Sequence, residues 1–252
     1  MKSFPSPVPE EFSRARSFDD VNRFAEAARG WSLDFRQMDR GRFHAELTHI
    51  VTTGVMLSRC LLGRKMEQQG EVPEGFRTFA IPIGTSLDLR WRGKQLDSDC
   101  IMLFPPERDL DSVSAPGFDM LVISISEEVL TRAAGRRRLA SVEEMLPPTD
   151  LIGCPRTSRR ALVRLALGLI GAGVVRAELL HSWSYRNELE GALVETLLDT
   201  IHLGRAVTGH PVPRSRRRAL HLARDMIHAR ASEPVTVAEL ETLSGVSGRS
   251  LR

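Results

Sequence analysis

The chain has 252 residues, of which 42% are hydrophobic and 27% charged, and its formal net charge is +3. This length allows two domains with separate cores. The longest apolar stretch, residues 161–175, is interrupted by Arg164 and three glycines, and the first residues contain prolines but no apolar run. The sequence therefore predicts neither a membrane-spanning helix nor a signal peptide, and we expect a cytoplasmic protein with reduced cysteines.

The N-terminal half has the pattern of an antiparallel β-structure. Residues 1–30 are predicted to form an arm and a helix, and from about Trp31 to Ser126 apolar and polar residues alternate in short segments separated by turn residues. Many short strands at close spacing predict a barrel or jelly roll, here over residues 31–132. The clearest segments are WSLDF, FHAELTHI, VMLSRCLL, FRTFAIPI, LDLRW, CIMLFP and FDMLVISI.

One short motif, DFRQMDRGRF, places Arg36 and Arg40 four residues apart. That spacing predicts both guanidinium groups on one side of a helix or a strand. Two such groups suit a phosphodiester or the edge of a guanine, because each donates two parallel hydrogen bonds. The alternative is that both arginines only flank a surface hairpin, or pair with Asp34 and Asp39, at little energetic consequence.

The next region, residues 133–205, is predicted to form a helical hairpin. Leucines and isoleucines recur at helical spacing over Ser158–Arg176 and again over Ser182–Leu203. The hairpin could link two domains or form a dimer interface. The residues predicted to face inward are Leu162, Leu165, Leu169 and Ile170 in the first helix, and Leu189, Leu193, Leu197, Leu198 and Ile201 in the second.

After a Pro- and Gly-containing linker, residues 206–215, two helices and a tight turn are predicted within 216–252. Thr236 and Glu239 have the spacing of a capping box, and Gly245 stands where a helix would end with positive φ. Ser247 would cap the next helix, as in a helix-turn-helix; an ordinary pair of helices is the alternative. The residues expected to face DNA are Ser247, Arg249, Ser250 and Arg252.

Segment 213–252 also holds eight arginines against four acidic residues, an excess of four positive charges. A local basic excess indicates a polyanionic partner or an arginine-rich solvated surface. The string HLARDMIHARASEPVTVAELETLSGVSGRSLR resembles the opening of the DNA-binding domain of AraC/XylS-family transcription regulators. That domain has two helix-turn-helix units, so the resemblance implies that the sequence stops inside the first recognition helix. We expect a fragment that binds promoter DNA poorly on its own.

The segments FRTFAIPI, DCIMLFPPERDLDSVS and FDMLVISISEEVL resemble the cupin-like sensor domain of AraC-type proteins, over most of residues 18–132. The resemblance implies an α+β protein: a cupin-like antiparallel β-barrel, the helical hairpin, and then the start of an all-α DNA-binding domain. It also implies an effector and a homodimer. His44 and His49 would point to opposite faces of one strand, so we expect no metal site. Without a nucleophile elbow, P-loop or dinucleotide motif, we expect no enzyme and no cofactor.

The Arg36–Arg40 pair ahead of a β-barrel is similar to the binding mode of PilZ-type cyclic di-GMP receptors. Those receptors add a second motif, Asp/Asn-x-Ser-x-x-Gly, whose counterpart here is Ser112-Val-Ser114-Ala-Pro-Gly117 preceded by Asp111, with serine at the first position. The resemblance implies cyclic di-GMP as effector, bound by Arg36, Arg40, Asp111, Ser112 and Ser114. Two alternatives to cyclic di-GMP remain: the effector is another small metabolite that binds inside the barrel, or the chain binds no small-molecule effector. A metal-free cupin interaction module or a cupin enzyme is the competing class.

Overall fold

The computed structural model describes residues 13–28, 31–83, 89–91, 94–96, 99–104, 109–207 and 233–245, together with 219, 222, 223, 225–227, 229 and 230. The chain divides into two compact units, Met1–Thr208 and Gly209–Arg252. No helix within these described ranges is both long and apolar enough to cross a bilayer.

The strands of the first unit are β1 (Ser13–Phe18), β2 (Ser32–Gln37), β3 (Ala45–Val51), β4 (Val55–Leu62), β5 (Met66–Glu71), β6 (Phe76–Pro82), β7 (Leu89–Trp91), β8 (Lys94–Gln95), β9 (Cys100–Leu103), β10 (Asp109–Ser114), β11 (Phe118–Ser126), β12 (Leu151–Gly153) and β13 (Arg205–Ala206). The helices of the first unit are α1 (Val21–Ala27), α2 (Glu127–Arg136), α3 (Val142–Met145), α4 (Arg156–Val175) and α5 (Trp183–His202), with a 3₁₀ segment at Ala177–His181. Helix α6 (Val237–Ser244) lies in the second unit.

Antiparallel pairing joins the described strands into two sheets. The first has eight strands in the order β1-β3-β4-β11-β6-β9-β12-β13, and the second has five in the order β2-β5-β10-β7-β8. The predicted α+β fold is confirmed. Among the strands that the structure describes, however, hydrogen bonding gives two sheets and no closed ring, so an open sandwich stands where the sequence predicts a β-barrel.

The eight-stranded sheet is buried on both faces. On β11, Leu121 and Ile123 join the core shared with α4 and α5, whereas Met120 joins Trp91 and Met102 in the core between the sheets. Adjacent residues of a strand face opposite sides, so a strand covered on both sides needs apolar residues at nearly every position. This explains the apolar run Met120–Ile123 within FDMLVISI.

The predicted helical hairpin is confirmed, with helix ends within two residues of those expected. All five inward residues predicted on α5 are buried, as are Leu162 and Ile170 on α4, whereas Leu165 and Leu169 are only partly buried. Both helices therefore bury one apolar side along successive turns.

Polar contacts fix the helices to the sheet and to each other. Glu195 on α5 accepts hydrogen bonds from the guanidinium groups of Arg136 at 2.8 Å and Arg137 at 2.7 Å, near the end of α2. The Glu190 carboxylate accepts from the backbone N–H of Gly54 at 3.1 Å. The buried guanidinium of Arg159 on α4 donates to the carbonyl oxygen of Pro82.

Strands β1 and β5 were not among the strands that the sequence predicts. Strand β1 lies in the segment expected to be an arm, and pairs with β3 from Ser13 opposite Ile50 to Phe18 opposite Ala45. Strand β5, MEQQGE, lies in the middle of the predicted β-region between β2 and β10. Both contain mostly polar residues, so the alternation of apolar side chains that marks a strand is weak in them.

Candidate functional site

Arg36 lies on β2, the edge strand of the five-stranded sheet, directly opposite Glu67 of β5. One guanidinium nitrogen is 3.7 Å from a Glu67 carboxylate oxygen, and the side chains are 40% and 6% exposed. The Arg36 side chain is therefore paired with a buried carboxylate at the sheet edge and remains partly exposed. An anionic ligand would share Arg36 with Glu67.

Arg40 is exposed and lies in a bend three residues after β2 ends. The side-chain amide of Gln37 fixes this bend by donating to the carbonyl oxygens of Asp39 and Gly41, both at 2.8 Å. The sequence predicts Arg36 and Arg40 on one face of a helix or strand. This prediction is wrong, because β2 ends at Gln37 and Arg40 lies beyond it in the bend.

The same bend is held from the side by Arg64. Its Nε donates to the carbonyl oxygen of Arg42 at 2.9 Å, and the guanidinium lies over Gly41. A Cβ atom at residue 41 would be 2.3 Å from a terminal nitrogen of Arg64, and the φ angle of +125° already favours glycine. The position of Arg40 is therefore set by the packing around Gly41.

The predicted second motif lies on β10, two strands away from Arg36. Asp111 pairs with Gln69 in the backbone register, and Ser112 and Ser114 are buried, with the Ser114 hydroxyl 3.4 Å from the Met66 carbonyl oxygen. Arg36, Glu67 and Val113 form one register row, so Ser112 and Ser114 face the opposite side of the sheet. The structure thus separates the serine hydroxyls from the Arg36 face.

A row of side chains crosses the interior face of this sheet, and of its members the sequence analysis singled out only Ser112. The register aligns Phe35, Gln68, Ser112 and Trp91 on four neighbouring strands. Gln68, Ser112 and Trp91 are buried, and Gln68 Nε2 and Trp91 Nε1 have no hydrogen-bond partner among the described atoms. Buried donors are almost always paired, so two such donors in one row need an acceptor from elsewhere.

The described residues hold no group of three or more histidine, cysteine or acidic side chains arranged for a metal ion. His44 precedes β3 and its Nε2 is 3.4 Å from a Glu46 carboxylate oxygen, whereas His49 lies on β3. Burial raises the pKa of the Cys154 thiol to about 11, which keeps it protonated at neutral pH.

In the second unit, the predicted start and end of the helix at 237–244 are confirmed. The Thr236 hydroxyl accepts from the Glu239 N–H at 3.3 Å and the Glu239 carboxylate accepts from the Thr236 N–H at 2.8 Å, which forms the capping box. Hydrogen bonding by Arg230 and by Thr236 lowers the pKa of Glu239 to about 2. Gly245 ends the helix in the left-handed region, with φ of +68°.

The apolar residues of α6 are largely solvent-exposed. Val237 is 50% exposed and Leu243 is 44% exposed. The candidate DNA-contacting residues Ser247, Arg249, Ser250 and Arg252 lie outside the described residues.

No protein-family model matches the chain. The AraC-like transcriptional activator CuxR has a similar structure, with a TM-score of 0.52 and 11% identity, over 94% of this chain and 87% of that chain. A Bacillus subtilis oxalate decarboxylase matches 44% of this chain and 37% of its own, with 13% identity and a TM-score of 0.25, too low to define a shared fold. The fold of the chain is therefore similar to that of CuxR.

Proposed function

We propose that the chain is a one-component, effector-responsive transcription regulator with a sensor region and a DNA-binding region. The observation that carries this proposal is the similarity in fold to an AraC-like transcriptional activator along 94% of the chain. The capped helix α6, its end at Gly245 and the arginine excess of segment 213–252 support a DNA-binding role for the second unit.

The effector that we propose first is cyclic di-GMP, bound at the sheet edge by Arg36 and Arg40. Arg36 is partly accessible on an edge strand, and Arg40 is exposed in the adjoining bend. Two guanidinium groups suit a ligand with two phosphodiesters. The effector would bind more tightly to the domain arrangement that dimerises and binds DNA. It would therefore increase the fraction of molecules in that arrangement.

A second candidate is an uncharged metabolite inside the sandwich, favoured by the row Gln68–Ser112–Trp91. The unpaired donors Gln68 Nε2 and Trp91 Nε1 would each gain an acceptor atom from such a ligand. The surrounding side chains Phe104, Leu110 and Met102 are apolar and buried, so an ion would be costly to place there.

Calorimetric titration with cyclic di-GMP tests the arginine site. Wild type should bind, and Arg36→Ala or Arg40→Ala should each weaken binding about 10- to 100-fold, since a hydrogen bond to a charged group contributes about 1.5–3 kcal/mol. The control is Arg132→Ala, an exposed arginine on α2 that pairs only with Glu128 of its own helix among the described residues. Equal binding by all three variants would contradict the site.

The interior site has a separate test by melting temperature with a panel of metabolites. A compound that raises the melting temperature of wild type, but not of Gln68→Leu, would place the effector in the sandwich. If neither cyclic di-GMP nor any metabolite has an effect, the chain is better explained as a metal-free cupin interaction module. Stoichiometric metal in the purified protein would instead favour a cupin enzyme.

A further inference from the structure

Helix α4 begins without a side-chain cap. Its N-cap residue is Pro155, which makes no side-chain hydrogen bond, and its first turn contains no acidic residue. In each of the other α-helices named above, an Asp, Ser or Thr side chain at the N-cap accepts a hydrogen bond from the first turn. The N–H groups of Arg156, Thr157 and Ser158 therefore have no acceptor within the described parts of the chain, at the positive end of a 20-residue helix.

A buried arginine lies at the same end of α4. Arg159 is 8% exposed, and its guanidinium donates to the carbonyl oxygen of Pro82. Strands β6 and β12 both run antiparallel to β9, so their last residues, Pro82 and Gly153, lie at the same end of the sheet, where α4 begins. The charge of Arg159 also acts on Cys154, the residue before the N-cap. Since helical side chains lean toward the N-terminus of their own helix, the guanidinium is directed to the uncapped first turn.

The guanidinium of Arg159 has a donor that nothing in the described chain accepts. Its Nε atom is buried and has no hydrogen-bond partner among the described residues. Burial lowers the pKa of this group, because the surroundings compensate its charge only in part. A buried charge is normally paired, and leaving one without a partner is costly. Arg159 therefore indicates an anion at this end of the helix.

The acidic residue beside this end of α4, Asp99, is bound to another arginine. Its Oδ2 atom accepts from Nε of Arg156 at 2.6 Å, and its side chain is 34% exposed. The charges of Asp99 and Arg160 both act on Arg159. The cluster thus holds three arginines (Arg156, Arg159 and Arg160) against one aspartate, and three minus one leaves an excess of two positive charges.

We propose that the start of α4 binds a phosphate group, either inorganic phosphate or the phosphate of a small metabolite. The N–H groups of Arg156, Thr157 and Ser158 would donate to its oxygens from the helix end, and Arg159 would donate from the side of the sheet. A phosphate group has oxygens on all sides and nearly two negative charges, so it matches donors from two directions and the excess of positive charge. Bound there, it would join the hairpin to the ends of β6 and β12. This site is separate from the proposed effector site at Arg36.

Titration of the full chain with inorganic phosphate, followed by phosphorus NMR at constant ionic strength, tests the site. Wild type should bind at millimolar phosphate. Arg159→Met should weaken binding about tenfold or more, since a hydrogen bond to a charged group is lost. Pro155→Asp should weaken it similarly, because the new carboxylate would accept from the same N–H groups. The matched control is Arg164→Met, an exposed arginine of the same helix beyond its first turn, which should bind as wild type does.

Pro155→Asp keeps the test decisive if Arg159→Met does not fold, because Pro155 is exposed and the buried arginine stays in place. Absence of binding by wild type, or equal binding by wild type and Pro155→Asp, would overturn the proposal. Equal weakening in Arg164→Met would also overturn it, since phosphate would then respond only to the general charge of the helix. Phosphate binding should be unchanged in Arg36→Ala; a loss there would place the ion at the sheet edge instead.

Discussion

Gly70→Ala is expected to destabilise the sensor by about 2–6 kcal/mol, the sum of backbone strain and a steric clash. Gly70 has a φ angle of +143°, which side-chain-bearing residues rarely adopt, and an added Cβ atom would be 1.9 Å from the backbone oxygen of Ser32. Since Ser32 begins β2, relief of the clash would move β2 away from β5. The variant should therefore lose binding at Arg36 as well as stability.

Urea unfolding followed by circular dichroism measures this effect, with Gly135→Ala as the matched control. Gly135 lies on α2, is exposed, and an added Cβ atom there would meet nothing within 4 Å. The control should be slightly stabilised, by up to about 1 kcal/mol. Equal stability of the two variants would mean that β2 does not pair with β5 as described.

Leu193→Ala should cost about 2–5 kcal/mol of unfolding free energy, because it leaves a cavity in a packed core. Leu193 is 0% exposed and belongs to the cluster that joins α5 and α4 to the eight-stranded sheet. The same measurement on Leu203→Ala, where the side chain is 58% exposed, should change stability by no more than about 0.5 kcal/mol. A similar cost for both variants would show that the hairpin does not pack on the sheet.

The elements that sequence predicted best are those whose signal is local. The hairpin could be predicted because Leu189, Leu193 and Leu197 recur every fourth residue, and the start of α6 because Thr236 and Glu239 cap it through contacts three residues apart. In each case neighbouring residues carry enough information to fix the helix.

Features that depend on distant contacts could not be predicted. Strand β5 carries the polar residues Glu67 and Gln68, both buried, because its place between β2 and β10 fixes its pairing. The bend at Arg40 depends on Arg64, a residue of the β4–β5 connection. The interior row around Gln68 follows from register alone, which the sequence of a single strand does not specify.

The measurement that tests the regulator proposal most directly is selection of genomic DNA fragments by the purified protein. Affinities of the selected fragments would then be measured at several salt concentrations. We predict a discrete set of fragments, bound weakly and less tightly at higher salt, with at least a tenfold loss in the Arg249→Ala/Arg252→Ala double variant and no loss in Arg132→Ala. Recovery of all fragments alike would contradict sequence-specific recognition, and unchanged affinity in the double variant would contradict DNA binding through Arg249 and Arg252 of the second unit.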